Sequence, residues 1–273
     1  MFSILKHLGP IIVNRPPSFA APTSQLVSAS QIYEPEFREI AHRMSFEAVL
    51  DRKIWEYCFI VNAIERFAKT GPGSKGLAFG CGMEVATSVL AAKGSDILAT
   101  DYVDQDKDWQ AKGLDDCFSS THIDRATFDA RVRFQHLDMN SIDPGLTGFD
   151  FLWSTGSLEH IGGYDQGLAF VERAMHCLNP GGIAVHTTEF TLTSETIGYD
   201  SPDLSFYCRR DIEKLAERLL AAGHMIILNF ERGNTVADNH VDTAPYHFGR
   251  TLCAHFNFHV ISSIGLIIQK GNF

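Results

Sequence analysis

The chain has 273 residues, 45% of them hydrophobic and 21% charged. That is enough apolar material for one large α/β domain with additions, and too much for a disordered chain. A formal net charge of −10 gives no overall attraction to nucleic acid or to an anionic membrane, so neither is expected as a partner.

In chain order, the opening stretch MFSILKHLGPIIVNRPPSFAAP has an apolar run broken by Lys6, His7 and Pro10. It makes a poor signal-peptide core and falls short of the roughly 20 apolar residues that cross a bilayer. No later segment is long enough either, so a cytoplasmic, soluble protein is expected. Residues 1–30 are rich in Pro, Ser and Ala without periodicity and read as an arm or lid outside the core. Residues 35–69 carry apolar positions at mixed three- and four-residue spacing and read as helical. Residues 1–70 are thus expected to form an N-terminal arm and helical cap, which Gly71-Pro72-Gly73 separates from a second unit over 71–273.

From Gly76 onward, strands and helices alternate. The apolar runs predict seven strands, near 76–80, 96–101, 132–137, 149–154, 183–188, 224–230 and 259–268. Helices are predicted near 83–93, 164–178 and 209–222, the second stopped by Asn179-Pro180-Gly181-Gly182 and the third entered through Arg209-Arg210. Near-continuous apolar strands alternating with helices give an α/β fold with a doubly wound, mainly parallel sheet. Such sheets bind ligands at the C-terminal ends of their strands, where Gly80, Asp101, Asp138, Ser154 to His160 and His186 to Glu189 fall.

The densest information lies between Lys75 and Tyr102. A short apolar run ends in Gly80-Cys81-Gly82, a helix-like segment follows, and a second apolar run closes on Asp101. This is the layout of a nucleotide-binding β-α-β unit, in which turn glycines admit the ligand to the backbone and the later acid meets a ribose hydroxyl. Cys81 reads as a small space-filler in that turn. It is one of six scattered cysteines, with Cys58, Cys117, Cys177, Cys208 and Cys253, and no Cys-x-x-Cys pair suggests a zinc site. They read as reduced, buried thiols.

Five pieces in order, namely the glycine turn, Asp101, Asp138 in HLDMNSID, Phe149-Asp150-Phe151 through SLEHI, and Leu178-Asn179-Pro180-Gly181-Gly182, resemble the class I S-adenosylmethionine-dependent methyltransferases over about residues 70–270. The resemblance implies a Rossmann-like seven-stranded sheet and S-adenosyl-L-methionine as cofactor. It places that cofactor at Gly80, Cys81, Gly82, Glu84, Asp101, Tyr102, Asp138, Met139 and Ser154, with Asp101 on the ribose and Asp138 and Met139 at the adenine. The pieces LAFGCGME, ATDY, SLEHIG, AVHTTEF, RRDIE and SIGLIIQK, with Arg52 to Glu56, are similar to an uncharacterised bacterial group associated with glycan biosynthesis. That implies a glycan or other small-molecule acceptor and O-methylation. Two positions depart from the family. Ala78 replaces the usual acid before the first glycine, and Glu84 replaces the third glycine. Glu84 is open to two readings, a partner for the cofactor's ammonium or a first-turn helix residue favoured by the helix dipole.

The acceptor-side candidates are His160, His186 and Glu189. An imidazole after the fourth strand can take a hydroxyl proton, or can simply cap its loop. Along AVHTTEF, alternation puts His186 and Thr188 on one face and Thr187 and Glu189 on the other. Asp238, His240, Asp242, Tyr246 and His247 form a polar loop that either borders the pocket or contributes to a divalent-metal site, with no ligand set fixed by spacing. Two rival functions remain on this fold: an NAD-dependent oxidoreductase, and a non-catalytic binding protein.

Overall fold

The computed structural model describes residues 9–102, 109–246 and 251–272. Its N-terminal part holds β1 (Ile11–Ile12), β2 (Ser24–Leu26), α1 (Ala29–Ile32), α2 (Pro35–Arg43) and α3 (Arg52–Phe67). The helix expected over 35–69 is therefore two helices. Ser45 takes φ 61 just after α2, and the Asp51 side chain opens α3 by accepting the backbone N–H groups of Lys53 at 2.8 Å and Ile54 at 3.3 Å.

From β3 (Lys75–Phe79) the chain runs through α4 (Ala86–Ala92), β4 (Asp96–Asp101), α5 (Arg125–Arg131), β5 (Val132–His136) and β6 (Phe149–Thr155). It continues with α6 (Tyr164–Ala174), β7 (Leu178–Thr191), β8 (Tyr199–Asp200), β9 (Ser205–Phe206) and α7 (Arg209–Ala221). The last elements are β10 (Met225–Asn229), α8 (Val236–Asn239), β11 (Val241–Asp242), β12 (Cys253–Phe256) and β13 (His259–Gln269). Arg209 is the helix-entry residue expected: its Nε donates to Glu213 at 2.8 Å and its guanidinium lies 5.0 Å from the centre of the Phe230 ring.

The sheet order is β1-β10-β2-β13-β7-β6-β3-β4-β5, with β12 pairing β13 and β11 pairing β12. Strands β7, β6, β3, β4 and β5 are parallel, and β13 runs antiparallel to β7. Helices α3, α4 and α5 pack on one face and α6 and α7 on the other, so the doubly wound expectation holds. All seven expected strands form, but the seven-strand count does not stand: β1, β2, β11 and β12 bring the sheet to 11 strands among the described residues. The Asn179-Pro180-Gly181-Gly182 segment also differs. It lies inside β7 as an irregularity, where the register passes from Phe149↔Leu178 to Phe151↔Ile183.

The arm expected to lie outside the core instead enters the sheet. Ser24 pairs with Leu228 and Leu26 with Ile264, and β2 is buried throughout. Buried and half-buried side chains satisfy the backbone of this irregular segment. Gln25 Nε2 donates to Ser18 O at 2.8 Å, Asn62 Nδ2 donates to Phe19 O at 2.7 Å, and Glu34 accepts the N–H of Ala20 at 2.7 Å. α3 is likewise part of the core. Trp55 stacks on Phe59 with ring centres 4.7 Å apart and donates to Gln31 Oε1 at 2.9 Å, leaving the first turn of α3 at the sheet's C-terminal edge.

Candidate active site

The glycine turn after β3 puts Gly80 at φ +56 and Gly82 at φ +50, the left-handed region that favours glycine. Space enforces the same choice. A Cβ on Gly80 would sit 2.7 Å from Ser157 Oγ, and one on Gly82 would sit 3.0 Å from the Trp109 carbonyl oxygen. The bare backbone borders a cleft of about 860 Å³ that follows the C-terminal ends of β5, β4, β3 and β6 and reaches the first turn of α3. That is the size of a nucleotide-type ligand site. The Cys81 side chain turns into the core, with its sulfur 3.7 Å from that of Cys117. The Cys117 contact and burial push its thiol pKa well up, as suits a filler rather than a nucleophile. All six cysteines are free and buried.

Asp101 ends β4 with its carboxylate turned toward the glycine turn. Oδ2 accepts the N–H of Gly82 and of Ala111, each at 2.9 Å, and Oδ1 accepts the N–H of Tyr102 at 2.8 Å. Burial raises its pKa, against these three amide bonds. Asp101 therefore ties the glycine turn to the end of β4 and to Ala111. Among these bonds Oδ2 accepts two amides and Oδ1 one, and the carboxylate borders the cleft. Tyr102 borders the cleft with an exposed ring. After β5, Asp138 closes a turn by accepting the Asn140 N–H at 2.8 Å, and both Asp138 and the mostly buried Met139 line the cleft.

The remaining sequence candidates separate. His160 lines the cleft, and its Nδ1 pairs with the Asp203 carbonyl at 2.8 Å. A carbonyl only accepts, so Nδ1 carries the hydrogen and Nε2 of the neutral ring is left as a proton acceptor. Ser154 and His186 do not reach the cleft. Ser154 Oγ pairs with His186 Nδ1 at 2.8 Å in the core, and His186 packs edge-on to Phe170 of α6. Burial pushes the His186 pKa down to about 3, so the ring is neutral in this apolar place. The alternation read along β7 holds, but His186 and Thr188 face α6 and the short helix Leu158–His160, while Thr187 and Glu189 face α3.

Glu189 stands one layer behind the cleft. Arg52 Nη1 lies 2.7 Å and Lys53 Nζ 3.2 Å from its Oε1. Burial opposes its charge, but Lys53 and Arg52 outweigh that and hold its pKa down. The same cations meet Glu56, fully buried on α3, with Lys53 Nζ at 3.1 Å and Arg52 Nη1 at 3.6 Å. Ser263 and Thr187 also donate to Glu56. Beside them Glu159 accepts from Thr188 at 2.9 Å, while its buried Oε1 has no hydrogen-bond partner among the described residues. Lys53, Glu56 and Tyr57 border the cleft with Glu84. Glu84 Oε1 accepts Trp153 Nε1–H at 2.7 Å, and burial pushes the carboxyl up to about 7 against that hydrogen bond, helped by Asp101 and Glu56. Sequence reasoning missed this α3 wall as a site. Its one signal was the charged run from Arg52 to Glu56.

The polar loop after α7 is used structurally. Asp238, inside α8, accepts the N–H of its N-cap residue Thr235 at 3.0 Å and that of Ala29 at 2.7 Å, Asp242 pairs in β11, and His247 lies outside the described residues. Among the described residues no group of three His, Cys, Asp or Glu side chains is placed to hold a metal ion, and no helix is long and apolar enough to cross a membrane.

The model of the methyltransferase domain family matches residues 52–267, most of the chain, so the chain belongs to that family. Among similar solved structures, the [4+2]-cyclase SpnF is 16% identical, with 78% of this chain and 80% of that one covered and a TM-score of 0.51. An S-adenosylmethionine-dependent methyltransferase from Clostridium acetobutylicum ATCC 824 is 14% identical over 86% of this chain and 98% of that one, with a TM-score of 0.48. Phosphoethanolamine N-methyltransferase 2 of Haemonchus contortus, solved with S-adenosyl-L-methionine, is 18% identical over 67% of this chain at a TM-score of 0.39, and this chain spans 43% of its length. The likeness to SpnF shows the fold alone. No curated protein matches.

Proposed function

We propose that this chain transfers the methyl group of S-adenosyl-L-methionine to a hydroxyl of a small acceptor, a sugar or a related polyol, with His160 receiving the hydroxyl proton. The family membership and the resemblance of the strand-end motifs support the cofactor. The residues present fit it: bare glycine backbone, the carboxylate of Asp101, and Asp138 with Met139 follow one another along a cleft of about 860 Å³. S-adenosyl-L-methionine supplies an electrophilic methyl on a sulfonium. The observation that carries the acceptor reading is His160 at the cleft with its Nδ1 paired to the Asp203 carbonyl. With Nδ1–H held on the Asp203 carbonyl, Nε2 can take the proton as the acceptor oxygen attacks the methyl carbon and the carbon–sulfur bond electrons return to sulfur. Glu56 and Tyr57 of α3, with Ser157 and Thr155, orient the acceptor and exclude water, so positioning supplies much of the acceleration.

The fold alone does not fix the reaction, since the similar SpnF is a [4+2]-cyclase, so methyl transfer is tested directly. Purified protein is incubated with S-adenosylmethionine labelled in the methyl group and a panel of sugars and sugar nucleotides. Label should appear in product. His160→Ala should lower kcat by roughly 10²–10⁴-fold while leaving S-adenosylhomocysteine binding intact. A rate within a factor of two of the unmodified protein would remove His160 as the base. An N-methylated product would overturn the oxygen assignment.

A further inference from the structure

We propose that Lys53 and Glu84 form a paired-charge subsite for the zwitterionic amino-acid end of the cofactor, Lys53 taking its carboxylate and Glu84 its ammonium. This rests on the cofactor reading above. Strand order sets the direction. Asp138 follows β5 and Asp101 ends β4, so a cofactor with adenine and ribose there directs its amino-acid end past β3 toward β6 and α3. The cleft wall at that end carries both an ammonium and a carboxyl group, the two partners that a zwitterion requires.

Each charge is held by its surroundings rather than free to wander. Trp153 fixes Oε1 of Glu84 at 2.7 Å, on a side chain standing where the family's third glycine would leave bare backbone. Lys53 Nζ is placed by Glu56 at 3.1 Å and Glu189 at 3.2 Å. Burial opposes the Lys53 charge, but Glu56 and Glu189 outweigh it and hold its pKa well above the ordinary range. Gly156 keeps this ammonium open to the cleft, since a Cβ there would sit 3.0 Å from Nζ. For Glu84 the burial that raises its pKa to about 7 also means that a bound ammonium recovers lost solvation, and that protons compete with it near neutral pH.

The test compares two nucleosides by calorimetry on the full chain. S-adenosylhomocysteine carries the amino-acid end, whereas 5′-methylthioadenosine keeps adenine, ribose and thioether without it. Glu84→Gln and Lys53→Met should each weaken S-adenosylhomocysteine by roughly tenfold or more and methylthioadenosine by no more than about twofold. In the unmodified protein, S-adenosylhomocysteine should bind more weakly as pH falls below about 7, approaching tenfold per pH unit. Methylthioadenosine should show no such slope, and neither should Glu84→Gln with either ligand. The slope in the unmodified protein needs no variant to fold. Equal losses for both nucleosides would mean a disturbed loop, and no loss would mean that the pair faces the acceptor; either overturns the subsite. Failure of the unmodified protein to bind either nucleoside would overturn the cofactor reading and this inference together.

Discussion

On the β3–β4–β5 side of the cleft, the polar framework is backbone: the amides of Gly82, Tyr102 and Ala111 close on the single carboxylate of Asp101. On the α3 side it is made of charged side chains, with Arg52 and Lys53 shared between Glu56 and Glu189. The first half is intolerant of volume, because a Cβ at Gly80 already collides with Ser157. The second is intolerant of changed charge, because Glu56 and Glu189 are buried and are neutralised by Arg52 and Lys53. One cleft thus joins a rigid cradle that suits a nucleoside to a charged wall that suits a zwitterion and a polar acceptor.

Removing a partner from the charged wall should have the largest effect on stability. Glu56→Ala strands Ser263, Thr187 and part of the Lys53 and Arg52 charge in a buried place, a loss of about 3–5 kcal/mol in urea unfolding. A loss below about 1 kcal/mol would show that Glu189 alone balances both cations. On the backbone side, Asp101→Ala leaves three amides unpaired and should cost about 1–3 kcal/mol. It should also weaken S-adenosylhomocysteine by roughly tenfold or more, because the glycine turn loses its anchor. Unchanged affinity would separate the turn from ligand binding.

The smallest effect has a sign set by pH. Burial raises the Glu84 pKa to about 7 in the folded chain, above the ordinary value of an unfolded glutamate near 4.3. The folded state therefore holds the proton more tightly between those values. The carboxyl's contribution is fully present below the unfolded pKa and is lost as pH rises through 7. Glu84→Gln removes that late penalty, so its Tm relative to the unmodified protein should be more favourable at pH 8 than at pH 5. The difference is on the order of 1 kcal/mol, since the side chain is only half-buried in the cleft. A relative Tm that stays flat with pH would contradict the raised pKa.

The two halves also differ in how far they can be read from sequence. The glycine turn, Asp101 and Asp138 are local features: each follows an apolar run, so strand order places them at one sheet edge. The charged wall is not local. Glu56 meets partners 131 and 207 residues away, at Thr187 and Ser263, and no spacing pattern joins them. His186 shows the same limit. Alternation puts it on the opposite face of β7 from Glu189, but only the packed structure shows that its face meets Phe170 rather than the cleft. β2 escapes sequence reading because three residues, two of them polar, become a strand only through β10 and β13 far along the chain.

The most direct test of the central claim is calorimetric titration of the purified protein with S-adenosylhomocysteine and, separately, with NAD. The account predicts saturable binding of the adenosyl compound, weakened in Asp101→Ala, and no binding of NAD. Preference for NAD, or no binding of the adenosyl compound, would contradict it.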